Sequence, residues 1–255
     1  MKEFKITKND AGQRMDKFLT KAVPKLPKAL LYKYIRIKRI KLNGKRCEIS
    51  SRLCEGDVIE CYVSDEFFEA ENKRPEFMLA PSAIDVVYED ENILLINKPA
   101  GLLVHEGNDW CADTLIARIQ HYLYKKKEYD PAAENSFVPA LCNRIDRNTC
   151  GIVIAAKNAA TLRVLNDKIK ERELEKKYLC VVKGTPKRKS GVLEHFILKN
   201  EKTNTVEALA APAPGAKTAK TKYTVLTSHD GMSLVEAELL TGRTHQIRAQ
   251  FAAIG

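Results

Sequence analysis

Between Ser64 and Pro81 the chain reads SDEFFEAENKRPEFMLAP, which has no helical or strand period, two prolines and an acidic bias. A stretch like this does not continue either kind of regular element, which suggests a linker between two domains. Charge divides at the same place. Residues 1–63 hold 16 Lys/Arg against 7 Asp/Glu, whereas residues 64–92 hold 2 against 9. The remainder is basic again, and the whole chain carries a formal net charge of +10. The expected organisation is a basic head over 1–63, an acidic linker over 64–83 and a body over 84–255. An excess of cations points to a polyanionic partner and says nothing about the fold.

Several classes are excluded by simple features. No run of 18 apolar residues exists, so no membrane span is expected, and the opening MKEFKITKND lacks the apolar core of a secretion signal. The seven cysteines are odd in number and none is paired as C-x-x-C, which fits a reducing, cytoplasmic setting. Cys47, Cys54 and Cys61 recur at every seventh position and read as small buried residues of a strand-rich segment rather than as zinc ligands. No Gly-rich phosphate loop is present, so a nucleotide cofactor is not expected.

In the head, Arg14–Val23 places Met15, Phe18, Leu19 and Val23 on one helical face, and Pro24 and Pro27 end it. A second helix is expected over Lys28–Arg39, with Leu30, Leu31, Tyr34, Ile35 and Lys38 on one side and Lys28, Lys33, Arg36 and Arg39 forming a cationic stripe. Ile40–Leu42, an Asn43-Gly44 turn and Val58–Val63 predict a small hairpin-like sheet. The order R-x-D-K-F-L, basic helix, K-L-N-G-K, E-G-D-V-I resembles the S-four-like RNA-binding module over roughly Gly12–Val63. That resemblance implies that Lys33, Arg36, Lys38 and Arg39 lie against an RNA backbone.

In the body, Ile84–Glu89, Ile93–Lys98, Gly151–Ala156, Tyr178–Val182, Val192–Leu198, Lys222–Leu226 and Ser233–Leu240 read as strands. Helices are expected over Asp113–Tyr124, capped by Asp113 or Thr114, and from Asn158 to about Arg172. Ala208–Lys220 (ALAAPAPGAKTAK) reads as a loop by composition. Many strands and few helices predict an α+β fold with a mixed, largely antiparallel sheet, preceded by the small α/β head.

One short segment carries more chemistry than the rest. Asn143–Gly151 (NRIDRNTCG) sets Asp146 between Arg144 and Arg147 in a turn leading into an apolar strand. Flanking cations favour an ionised carboxylate, although an aspartate in such a turn is ordinarily only a turn residue. The segment resembles the H-R-L-D-x-x-T-S-G signature of the RluA-type pseudouridine synthases. Asn97–His105 (NKPAGLLVH), Lys176–Gly184 (KKYLCVVKG) and Leu240–Phe251 (LTGRTHQIRAQF) resemble that family's other motifs, in the same order.

The resemblance implies an enzyme that detaches the uracil of selected uridines in RNA, rotates it and rejoins it to the ribose through carbon 5. It makes Asp146 the nucleophile, on the anomeric carbon or on the ring. Arg248 is then its charge partner, Tyr178 stacks on the target base, Ile247 supplies an apolar wall, and Arg144 fills the gap left by the flipped nucleotide. Thr149 and Gly151 shape the turn. His105 and His245 take structural or hydrogen-bonding roles, and Thr244 and Gln246 hold the backbone of their segment. No redox partner, phosphate donor or metal is needed, so no cofactor is expected. Ribosomal RNA is the favoured partner, transfer RNA the alternative, and a monomer the default.

Four positions depart from the family pattern: Asn143 for His, Ile145 for Leu, Cys150 for Ser and Gln250 for His. Family members also continue past the equivalent of Gly255 with H-P-[LI]-x-G-D and a closing strand, so the resemblance implies a catalytic domain truncated at its C-terminus. A silenced site would instead leave a non-catalytic RNA-binding or ribosome-assembly protein.

Overall fold

A computed structural model describes residues 1–68, 75–107, 110–200, 203 and 205–255. Backbone contacts divide the chain into two units, Met1–Asn166 and Asp167–Gly255. Part of the acidic linker, residues 69–74, lies outside the described residues.

The first unit opens with β1 (Lys2–Lys5), α1 (Met15–Ala22), α2 (Lys28–Arg36), β2 (Ile40–Leu42), β3 (Lys45–Arg46) and β4 (Val58–Cys61). The strands form an antiparallel sheet in the order β1-β4-β2-β3. Met15, Phe18 and Leu19 follow the three-and-four spacing of α1 and are at most 1% exposed, meeting Leu31 and Ile35 of α2 and Ile59 of β4 in one core. Asn43 and Gly44 both have positive φ, 51° and 71°, the geometry that a two-residue turn between twisted strands requires. β1 extends the small hairpin-like sheet that the sequence predicts. Its apolar alternation is confined to Phe4 and Ile6, too short to stand out.

The second helix ends three residues earlier than its apolar spacing predicts. Lys38 adopts φ 64°, the left-handed conformation that closes a helix, and Arg39 N–H donates back to the Tyr34 carbonyl (2.9 Å). Lys38 is therefore exposed in the turn, not on the apolar side of the helix. Of the three evenly spaced cysteines, Cys47 and Cys61 are buried, but Cys54 is exposed in a turn.

The first unit continues with β5 (Val86–Glu89), β6 (Ile93–Lys98), α3 (Leu115–Lys125), β7 (Ala140–Leu141), β8 (Gly151–Ala156) and the start of α4 (Ala159–Lys170). The sheet order is β5-β6-β8-β7, every pair antiparallel. Leu94 and Ile96 alternate inward from β6 and pack with Val153 and Ala155 of β8 and with Leu115, Ile119 and Leu123 of α3. Thr114 Oγ1 caps α3 by accepting from Ala117 N–H (3.3 Å), and Asn158 Oδ1 caps α4 through Thr161 N–H (2.9 Å). The linker's last aromatic, Phe77, is buried in this core, while Phe67 and Phe68 pack on the core of the head.

The second unit holds β9 (Lys177–Lys183), β10 (Ser190–Asn200), β11 (Thr205–Leu209), β12 (Lys217–His229), β13 (Met232–Leu239) and α5 (Gln246–Ala253). These strands form one antiparallel sheet, β11-β10-β12-β13-β9. The segment Ala208–Lys220 is not a loop throughout, because β11 reaches Leu209 and β12 begins at Lys217. Small residues are needed there: Ala219 is fully buried, and its carbonyl takes a hydrogen bond from Gln250 of α5 (3.1 Å), an approach that a larger side chain would block. Among the described residues no helix is long and apolar enough to cross a membrane.

Candidate active site

The loop 142–150 joins β7 to β8, and β8 pairs with β6 so that Gly151 lies opposite Lys98. The loop consequently sits over the end of β6 and the turn that follows. Arg147 clamps the two together: its carbonyl accepts from Gly101 N–H (2.9 Å) and its Nε donates to the Gly101 carbonyl (3.0 Å). Thr149 N–H closes the turn on the Asp146 carbonyl (3.1 Å), and Gly151, at φ 128°, turns the chain into β8 through a conformation that side chains disfavour. Ile145 points into the core of the first unit.

Asn143, the first departure from the family pattern, has a definite task. Its Oδ1 accepts from Ile154 N–H (2.8 Å) and its Nδ2 donates to the Ile152 carbonyl (3.3 Å). The side chain thus fastens the start of the loop to β8 where regular strand pairing has ended.

Beneath the loop lies a lysine whose role no motif spells out. Lys98 is fully buried, and its Nζ donates to the carbonyls of Pro99 (2.8 Å), Leu102 (2.8 Å) and Arg147 (2.9 Å). All three of its protons are used, none on a carboxylate. Burial lowers its pKa, and the nearby carboxylate of Asp146 is among the groups that oppose that fall. An ammonium is thereby held within electrostatic reach of Asp146, and its hydrogen bonds fix the backbone on both sides. A signal for it was present: in ILLINK the inward alternation Leu94, Ile96 continues onto Lys98, a cation on an apolar face.

Asp146 is half-buried and Arg144 is exposed. His105 has a pKa below the usual histidine value, first through partial loss of hydration and second because Arg144 is positively charged nearby.

In the second unit, Tyr178 of β9 is half-buried and paired with Ala237, on the same sheet face as Cys180 and Val182, which pack toward α5. Arg248 is exposed on α5, and Ile247 is half-buried against Leu193, Tyr223, Val235 and Phe251. The helix starts from His245 in a left-handed conformation (φ 51°) and is secured by two buried amides. Gln246 Oε1 accepts from Thr241 Oγ1 (2.9 Å) and Arg243 N–H (3.0 Å), and Gln246 Nε2 donates to the Lys220 carbonyl (3.0 Å) and Thr221 Oγ1 (2.9 Å). Gln250, where the family has His, accepts from Thr221 Oγ1 (2.6 Å) and donates to the carbonyls of Leu193 (3.0 Å) and Ala219 (3.1 Å). Thr244, by contrast, is exposed.

Thus Asp146 and Arg144 share one loop with Lys98 beneath it, whereas Tyr178, Ile247 and Arg248 share one sheet face and its helix. In the head, Lys33, Arg36, Lys38 and Arg39 are all exposed, at the end of α2 and in the turn after it.

Comparison with known proteins identifies the family. Residues 92–253 match the family model for RNA pseudouridylate synthase. The chain is 33% identical over 253 residues to the "Uncharacterized RNA pseudouridine synthase" of Mycoplasma capricolum, covering 98% of this chain and 80% of that one. It is 32% identical to the ribosomal large subunit pseudouridine synthase C of Vibrio vulnificus, covering 95% of this chain and 73% of that one. Among solved structures, human RNA pseudouridylate synthase domain containing 4 shares the fold, with a TM-score of 0.54 at 24% identity over 66% of this chain and 64% of that one. With a family match over residues 92–253 and similarity to these relatives over nearly the whole length, the chain belongs to the RNA pseudouridylate synthase family.

Proposed function

We propose that this enzyme converts selected uridines of ribosomal RNA to pseudouridine, with Asp146 as the nucleophile. The observation that carries the reading is the buried Lys98 ammonium beneath the loop that bears Asp146, with all three of its hydrogen bonds on backbone carbonyls and one of them in that loop. A reactive carboxylate must be ionised and fixed, and a buried cation that also ties down the loop serves both needs. The choice of ribosomal RNA is supported by relatives named ribosomal large subunit pseudouridine synthase C, which match 95% or more of the chain, head included.

In this reading the bond from C1′ to N1 breaks, the uracil turns, and C5 bonds to C1′ while the C5 proton departs and N1 is protonated. Arg248 is the charge partner of Asp146 and Tyr178 lies on the target base. Ile247 lines the site, and Arg144 stacks where the flipped base was. The head, an S-four-like module, holds the RNA backbone through Lys33, Arg36, Lys38 and Arg39. The same folding of functions into a head and a catalytic body, residues 1–63 and 84–255, is part of the proposal.

Tritium release from ribosomal RNA labelled at C5 of uridine tests it. Release by the chain and none by Asp146→Asn is the expected result. No release from the unmutated chain, with RNA still bound, would favour a binding protein instead.

A further inference from the structure

The connector is not the only link between the head and the catalytic half of the first unit. Residues 6–13 meet the loop 130–136 and the first turn of α4 along a polar seam. At its centre is Asp10, fully buried, which accepts from Thr7 N–H (3.1 Å) and Thr7 Oγ1 (2.8 Å) within the head. Its other two donors come from the body: Asn135 Nδ2 (2.8 Å) and Ser136 Oγ (2.6 Å). Ser136 accepts in turn from Gln13 Nε2 (2.9 Å), and Asn135 Nδ2 also reaches the Lys5 carbonyl (3.0 Å).

Asn9 straddles the seam. Its Nδ2 donates to Glu134 Oε1 (2.8 Å) and its Oδ1 accepts from the N–H of Ala159, the first residue of α4 (3.2 Å). Arg163, one turn further along α4, donates to the Ala11 carbonyl (3.1 Å). An apolar contact tolerates sliding, but a buried carboxylate with four directed donors has one satisfactory orientation. Half of those donors are lost if the head turns.

We propose that this seam clamps the head to the catalytic half, and that the clamp sets one distance and direction from the RNA backbone on Lys33, Arg36, Lys38 and Arg39 to the uridine at Asp146. The second clause rests on the RNA-isomerase reading above. A clamped head accepts only RNAs in which a backbone element lies at one offset from the target, whereas a head on a loose tether accepts many. Asp10 is then a positioning residue for site choice.

The test uses the full chain and breaks the seam from either side, with Asp10→Ala in the head and Asn135→Ala/Ser136→Ala in the body. Hydrogen exchange is measured first, without RNA. Asp10→Ala is expected to raise exchange over 132–137 and at Ala159, and the double variant to raise it over 6–13, while α1 and β6 stay protected as a check on folding. Unchanged exchange across the seam in both variants overturns the clamp. The milder Arg163→Ala, at an exposed position, gives a smaller change of the same sign and guards against loss of fold.

Tritium release from C5-labelled large-subunit ribosomal RNA, and from the shortest fragment of it still a substrate, then reads the consequence. Losing a fixed second contact should lower kcat/KM on the long RNA by roughly tenfold, leave the fragment unaffected, and spread product to additional uridines. A released seam with unchanged rate and unchanged sites overturns the positioning role. If Lys33→Glu/Arg36→Glu does not slow the long RNA, the head does not bind it, and the positioning role falls with that reading. No release by the unmutated chain is failure of the isomerase reading itself; the exchange data still decide the clamp.

Discussion

The two segments that carry the candidate site are held by opposite means. The loop bearing Asp146 lies over a buried ammonium, Lys98, whereas α5, which presents Arg248, is tied to its sheet by the neutral amides of Gln246 and Gln250. Each choice suits the group displayed. A cation below a carboxylate attracts it, and a second cation below an arginine would repel it. The amides hold α5 as firmly while adding no charge. What lies beneath a side chain thus contributes to its electrostatics as well as to its geometry.

Removing the ammonium should break the comparison most severely. Lys98→Met removes the Lys98 hydrogen bonds to the carbonyls of Pro99, Leu102 and Arg147, the last keeping only Gly101 N–H, and at about 1 kcal/mol each the first unit should lose roughly 3 kcal/mol in urea unfolding. Product formation should fall with it. Lys98→Arg should not rescue, because a flat fork cannot serve three carbonyls that converge on one atom.

Acid should separate the two units next. Burial opposes ionisation of Glu89, but hydrogen bonds from Lys126, Lys157 and Tyr122 outweigh it and hold the pKa at about 2. A carboxylate whose folded pKa lies below its unfolded value stabilises above the unfolded pKa. That contribution, roughly 3 kcal/mol, is lost as pH falls from about 4.5 through about 2. Among the described residues of the second unit, the carboxylate held low is Glu175, which is exposed on the surface. Hydrogen exchange followed from pH 5 to pH 2 should show β5 and α3 opening before β12 and β13. Simultaneous opening would count against this account.

A smaller effect is expected under α5. Gln250→Leu takes a donor from the carbonyls of Leu193 and Ala219 and the acceptor from the hydroxyl of Thr221, which keeps Gln246, and should cost about 2 kcal/mol. Its signature is a lower kcat with little change in KM, since the helix that presents Arg248 is loosened and the basic head is untouched. The smallest change is at Asn143. Asn143→Ala removes two hydrogen bonds to β8 at a half-buried position and should cost about 1 kcal/mol by thermal unfolding.

How much of this was legible in the sequence depended on the range of the interaction. β6 and β8 have the bounds that their apolar runs predict, and Asn43-Gly44 turns where expected, because pattern and turn chemistry act locally. The end of α2 was not legible: its apolar spacing runs on to Lys38, but the left-handed turn there is settled by how the chain enters β2. The start of β12 was hidden for a different reason. Alanines and a glycine resemble a linker, yet Ala219 is small because Gln250, 31 residues later, must reach its carbonyl.

The site divided in the same way. Asp146, Tyr178 and Arg248 stand out by motif, whereas Lys98 lies within NKPAGLLVH with no neighbour in sequence to mark its task. Its role exists only through carbonyls that the fold brings around it, one of them 49 residues away. Nor did Asn9, Asp10 or Ser136 carry any local sign of the seam they form.

The burial of Lys98 has a consequence for ionic strength. Dissolved ions screen charges they can approach, and they cannot approach a side chain with no exposed surface. The four cations of the head are open to solvent, and any phosphates they hold are released in favour of counterions as salt rises. Capture of RNA and the reaction that follows should therefore respond differently to potassium chloride, the apparent affinity falling steeply and the turnover of bound RNA staying level. One protein would then sense its ionic surroundings with its surface and ignore them at its centre.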